Sequence, residues 1–380
     1  MAHVRVAVRP EMLHWAMTRS HRPATDFKAY PLEEWLEGKR EPTLNQLEKF
    51  ARTARTPIGL MLLDDPPGSD LPLTDYRTIR SASVTTTSAE LEDAVHLVQR
   101  RQTWYRDYLI DQGQAPNDLV RSATTRDVPG EVADRLRDVL DFGLARRRPG
   151  TWQETRNRLV TAAESAGVLV MIAGYVGSTH RGLDVDEFRG FCLVDDMAPA
   201  LFVNGKDSKA AQMFTLLHEL GHILLGRSAL DRPDLDAGDG DDVERWCNAV
   251  AANVLVPLDD LRARFEPGQP MEDSLRVLTD RYRASGLVVL SQLHHLELLT
   301  WERYIAERDA ERTRALEALE ARDSDGGNYY ATAPHMISPT FLEAVARETR
   351  AMRTTYSEAM SLLHARSLKS LEGLLSRVEE

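Results

Sequence analysis

Cysteine is scarce in this chain: Cys192 and Cys247 are the only two in 380 residues. Two cannot build a disulfide framework, so both are expected to be buried free thiols in a reducing compartment. Positive charge is also in short supply. Lysine and arginine total 47 against 59 acidic residues, a formal net charge of -12, and no global field draws the chain to nucleic acid. Any DNA contact would have to be local. Long apolar runs are missing too: none approaches the roughly 20 residues of a membrane span, and Met1 to Pro10 lacks the apolar region of a signal peptide. These absences predict a cytoplasmic protein with no membrane partner. What remains, an apolar content of 42%, suffices for a substantial core and for two or three domains.

The order of patterns predicts an α+β chain that is mostly helical. Pro10 to Arg19 reads as a helix with Met12, Leu13, Trp15, Ala16 and Met17 on its apolar side. Leu32 to Glu37 reads as one turn stopped by Gly38, and Thr43 caps a helix carrying Leu44, Leu47, Phe50 and Ala51. This bundle of short helices, residues 1–65, ends at the polar stretch Asp64 to Asp70, and Ser81 to Ser88 forms a second, Ser/Thr-rich linker. Residues 66–150 are read as linker and helical connector, with helical spacing from Ala89 to Arg148. In residues 151–300, Trp152 to Ala166 is a helix, and Val168 to Tyr175, Arg189 to Asp195 and Ala200 to Asn204 are strands. The last module, 301–380, is helical from Glu302 to Arg322, is broken at Gly326-Gly327-Asn328, and is helical again from Pro339.

The chemistry concentrates in His218-Glu219-Leu220-Gly221-His222, inside a helix capped by Asp207 or Ser208 and ended by Gly226. Residues four apart stand above one another on a helix, so both imidazoles face one side and can share an ion, with Glu219 one step around. Leu216, Leu217, Leu220, Ile223, Leu224 and Leu225 make this helix apolar on most of its surface. Two buried imidazoles without partners would be costly, and Zn2+ satisfies both. A catalytic zinc takes three protein ligands and keeps a position open. Glu244, which begins the alanine-rich helix Glu244 to Ala252, is the first choice for the third; Asp241, Asp242 and Cys247 compete. Asn248, four residues on, can hydrogen-bond a ligand histidine and fix its tautomer. Such a site acidifies water and polarises a carbonyl, the two needs of peptide hydrolysis, with Glu219 as the base. A structural site, usually closed by four ligands, is the competing reading.

The segment Phe214 to His222, followed by Glu244-x-x-Cys-Asn-x-x-Ala-Ala-x-x-Leu-x-Val-Pro257, resembles the ImmA/IrrE family of bacterial metallopeptidases. Phe188-Arg189-Gly190-Phe191 and Phe202 to Asp207 resemble the family's strands before the zinc helix, so the likeness runs from Trp152 to Leu299. It implies a gluzincin-like fold, His218, His222 and Glu244 as zinc ligands, and Glu219 as catalytic base. It also implies a regulatory endopeptidase acting on a protein partner, such as a helix-turn-helix repressor from a neighbouring gene. An extended substrate would add to an edge strand, for which Arg189 to Asp195 and Ala200 to Asn204 are the candidates; the alternative is that both are internal strands. Tyr329, Tyr330 and His335 are possible cleft residues, with ordinary packing the plainer reading.

Pro10 to Leu63 resembles an Xre-type helix-turn-helix through Trp35-Leu36-x-Gly38-Lys39-x-x-Pro42-Thr43 and Gln46-Leu47-x-x-Phe50-Ala51. The resemblance implies operator DNA as a partner, with Lys28, Lys39 and Arg40 as candidate phosphate contacts. It departs where bases would be read, because Glu33, Glu34 and Glu37 stand where a recognition helix usually presents Arg, Lys, Asn or Gln. Residues 1–65 hold ten basic and nine acidic side chains, a net of +1. Tyr356 to Leu363 and Ser367 to Leu371 read as two helices around a turn. They resemble the tail of toxin-antitoxin members, which implies a cognate toxin as an alternative partner and an antitoxin or regulator as an alternative role.

Overall fold

The computed structural model describes residues 4–20, 22–67, 87–147, 150–177, 181–231, 242–320 and 336–378. Asp241, Tyr329, Tyr330, His335, the Gly326-Gly327-Asn328 break and most of the Ser81 to Ser88 linker lie outside them, as do Gly68 to Asp70. Contacts divide the described residues into two units that meet between Leu97 and Val98.

The first unit contains α1 (Pro10–Arg19), α2 (Leu32–Leu36) and α3 (Leu44–Thr53), with short 3-10 turns at Ala24–Phe27 and Leu60–Leu62. Thr43 does cap α3, through a reciprocal pair: its hydroxyl accepts from the Gln46 amide, and the Gln46 side chain accepts from the Thr43 amide. The core is aromatic, with Phe27, Tyr30, Trp35 and Phe50 in edge and tilted contacts. Helix α2 is one residue shorter than its pattern suggests, Glu37 serving as its C-cap. The long helix α4 (Ala89–Asp111) enters this unit with Glu90 and Glu92, which pair with Arg55 and Arg19.

The second unit holds α5 (Pro129–Val139), α6 (Leu144–Arg147), α7 (Trp152–Ser165), β1 (Leu169–Ala173), β2 (Gly190–Leu193), β3 (Ala200–Asn204), α8 (Lys209–Leu225), β4 (Ala229–Asp231) and α9 (Asp242–Leu255). After these come α10 (Leu258–Arg264), α11 (Met271–Tyr282), α12 (Gly286–His295), α13 (Trp301–Glu320), α14 (Pro339–Arg350), α15 (Tyr356–Leu363) and α16 (Leu368–Leu375). The described residues are thus mostly helical, with one small mixed sheet in the second unit. The strand order is β1-β3-β2-β4, with β1 parallel to β3 and the other pairs antiparallel. Residues of β1, β2 and β3 are buried on both faces, which is why these segments read as apolar runs rather than alternations. Val170, Ile172, Cys192, Leu201, Val203 and Ala229 join the core shared with α8 and α9. The intervening residues point away, among them Phe191 stacked on its cross-strand partner Phe202 at 5.2 Å.

The sheet order decides between the two readings of the candidate substrate strands. Both β2 and β3 are internal, because β4 pairs with the free side of β2 and leaves β1 and β4 as the edges. A three-residue strand directly after the α8 cap has too little length to declare itself by period. The strand expected over 168–175 is confined to 169–173, with the chain turning away at Gly174.

Candidate metal centre

Helix α8 begins at the Ser208 N-cap, whose hydroxyl accepts from the Ala211 amide at 3.2 Å. It ends at Gly226, which has a left-handed φ of 70°. Between these stops the helix lies almost wholly buried. His218 and His222 are each 1% exposed, and Glu219 is fully buried. Helix α9 packs against it at the narrowest side-chain position, Gly221. A Cβ built there would stand 3.1 Å from Cys247 Sγ, 3.2 Å from its Cβ and 3.3 Å from its Cα. Cys247 is therefore an interface residue, and the competing aspartate Asp242 is exposed and paired with Arg245. The close approach brings Glu244, half-buried at the start of α9, over both imidazoles.

The resulting group is compact. Among the described residues, ligand atoms of His218, His222 and Glu244 all lie within 4.8 Å of one another. His218 Nε2 and His222 Nε2 are 3.0 Å apart. Each stands 3.2 Å from a different Glu244 oxygen. Asn248, on the same face of α9 as Glu244, sits with Oδ1 2.9 Å from His218 Nδ1. With Nδ1–H donating to that oxygen, a neutral His218 turns its Nε2 lone pair toward His222 and Glu244.

The electrostatics of the group call for a cation. Burial lowers the basicity of His218, but the Glu244 carboxylate, aided by Asp231 and Glu219, outweighs it and lifts the imidazole to about 9. For His222 burial prevails and the pKa falls. Burial works against ionised Glu244, yet both imidazoles hold its carboxyl well below the usual carboxylate range. Glu219 is pushed well up, by burial first, with Asp231 and Glu244 adding to the effect against the opposing His218. Neither Glu219 oxygen has a hydrogen-bond partner, and His222 Nδ1 has none either. Two imidazole nitrogens and a carboxylate converging on one point, beside a buried carboxylate with no partner, form a donor set suited to zinc with room for a further ligand.

One acidic residue of this neighbourhood was not signalled by the sequence. Asp231, the last residue of β4, stands opposite Gly190 of β2. Its Oδ2 is 3.5 Å from Thr215 Oγ1, one helical turn before Glu219. In sequence it is indistinguishable from the acidic residues that follow it; only pairing of β4 with β2 brings it to the helix. Gly190 matters for the same reason: a Cβ there would meet Thr215 Cγ2 at 2.5 Å and the Phe202 carbonyl at 2.8 Å, and stand 3.6 Å from Glu219 Cγ. The sheet touches the metal helix through a residue without a side chain.

The basic residues singled out in the first unit lie at its surface. Lys39 pairs with Glu37 at 2.5 Å, and Arg40 with Glu34 at 3.3 Å. Lys28 is exposed just after the Ala24–Phe27 turn. No helix among the described residues is long and apolar enough to cross a membrane. No curated protein matches the chain. Residues 163–294, which contain the whole sheet, α8 and α9, match the IrrE N-terminal-like domain of the peptidase M78 family, in support of the ImmA/IrrE resemblance.

Proposed function

We propose that this chain is a zinc-dependent endopeptidase of restricted scope, acting in the cytoplasm on a specific protein partner. The supporting observation is the convergence of His218, His222 and Glu244 within 4.8 Å, next to a Glu219 carboxylate that is buried and unbonded. When bound by these three residues, zinc supplies Lewis acidity toward water and a peptide carbonyl. Glu219 takes the proton of the attacking water on one carboxylate oxygen and delivers it to the departing amine nitrogen. Asn248 holds His218 in the tautomer a ligand needs, and α8 and α9 exclude bulk water from the back of the site.

The partner we infer is a repressor or toxin-antitoxin component, or the cognate toxin itself, encoded by a neighbouring gene. A gluzincin-like domain flanked by all-α modules, residues 1–65 and 301–380, suits a protease that recognises one partner. In the alternative role the chain is an antitoxin or transcriptional regulator whose modules hold a toxin or operator DNA. The pairing of Lys39 and Arg40 with neighbouring glutamates weighs against direct DNA contact by those two. The test is co-expression with the neighbouring gene products, comparing wild type with Glu219→Gln. Cleavage of a partner by wild type, and its loss in a variant that retains zinc, supports the peptidase. Unchanged toxin neutralisation or operator binding in that variant, with no cleavage by either, supports the alternative. Purified protein without zinc after metal supplementation overturns the central claim.

A further inference from the structure

Among the described residues, Arg189 next to Gly190 carries a side chain whose bonding is unfinished. It immediately precedes β2 and is fixed by its backbone: its amide donates to the Asp231 carbonyl at 3.0 Å, and its own carbonyl accepts from the Asn204 amide at 2.7 Å. A Cβ on the next residue, Gly190, would stand 3.6 Å from Glu219 Cγ. The Arg189 side chain is 27% exposed, and its nearest carboxylate contact is Nε to Asp207 Oδ2 at 3.9 Å, beyond hydrogen-bond reach. Nε and Asp207 Oδ2 are both buried without a partner. A guanidinium offers five N–H donors in a planar fork, and Asp207, its nearest carboxylate contact, takes none of them.

We propose that Arg189 is a substrate-binding residue of the site, donating through its guanidinium to an oxygen acceptor of the bound polypeptide close to the scissile bond. The inference rests on the peptidase reading above. The acceptor has one chemistry and two sources, a main-chain carbonyl or the carboxylate of a substrate Asp or Glu. Asp207 stands beside the guanidinium at 3.9 Å, and the Thr215 contact holds Asp231 against α8. A purely structural arginine in this position would bridge those two acids through hydrogen bonds, which this one does not make.

The test uses full-length, zinc-loaded Glu219→Gln protein, which retains the metal ligands, and fluorescent peptide pools of two kinds, one containing Asp and Glu and one without acidic residues. Binding is read by anisotropy, with zinc content and circular dichroism measured on every variant. Adding Arg189→Ala is expected to weaken binding about 10- to 100-fold, the loss of a charge-assisted pair of hydrogen bonds. Loss in both pools assigns a main-chain carbonyl, and loss in the acidic pool alone assigns a side-chain carboxylate. Arg189→Lys, which keeps the charge and avoids stranding Asp207 and Asp231, should recover part of the affinity. Equal binding by parent and both variants, with zinc retained, overturns the role of Arg189 and leaves the peptidase standing. Absence of peptide binding in the parent, together with no partner cleavage by wild type, overturns both.

Discussion

Asn248→Ala isolates a single bond at the metal group. The substitution removes the acceptor that lies 2.9 Å from His218 Nδ1, and His218 is 1% exposed, so solvent cannot readily replace it. A buried donor left without a partner costs about 1–3 kcal/mol. Because that cost falls on the imidazole in its ligand tautomer, it is expected to appear mainly in metal affinity, as a roughly 10- to 100-fold weaker zinc dissociation constant. Competition with a chelating zinc indicator measures it, and unfolding of the chelated protein separates the affinity change from general destabilisation. Asn248→Asp, which keeps an acceptor at the same reach, should retain most of the affinity. If Asn248→Ala binds zinc within twofold of wild type, the hydrogen bond does not orient His218, and the case for a tuned catalytic site loses its support from α9.

Zinc uptake should release a proton. Without metal His218 stays protonated up to about pH 9, whereas a ligand imidazole must be neutral, so binding enthalpies near neutrality should scale with buffer ionisation enthalpy; no scaling refutes the charge assignment. For the same group, a folded pKa above the unfolded value of about 6.5 means stability present below that value and lost as pH rises through about 9, so the melting temperature of chelated protein should fall across that interval. Gly221→Ala places a methyl 3.1–3.3 Å from Cys247 and is expected to cost about 1–3 kcal/mol of stability by overpacking, seen in thermal unfolding. Glu164→Ala strands the Val170 amide, the Ser338 hydroxyl and the Thr340 amide that its carboxylate now accepts from. A loss of roughly 3 kcal/mol or more in chemical denaturation is expected, and a loss under 1 kcal/mol would show that this buried carboxylate does not anchor α14.

How much of this was legible depends on whether a feature is local. The four-residue spacing of His218 and His222 states its geometry outright, because helix period alone puts both rings on one side. Thr43 and Ser208 announce helix starts through bonds made within three residues. Glu244 could be chosen because it opens a small-residue helix, although the contact that makes the choice work, Gly221 against Cys247, is a packing fact. Non-local facts stayed hidden. That β2 and β3 are internal follows from β4, whose three residues form a strand only by pairing with β2. Asp231 is carried to the metal helix by that same pairing. The glutamates that lie beside Lys39 and Arg40, on α2 or at its end, are another case, since side-chain geometry of this kind leaves no mark on composition.

The close seating of Gly221 on Cys247 has a consequence for how the chain can change. The distance between the two histidines and Glu244 belongs to the interface of two helices. A bulkier residue at Gly221 or at Cys247 would therefore part the three donors without altering any one of them, and a chain that kept every ligand could still lose the metal through volume alone.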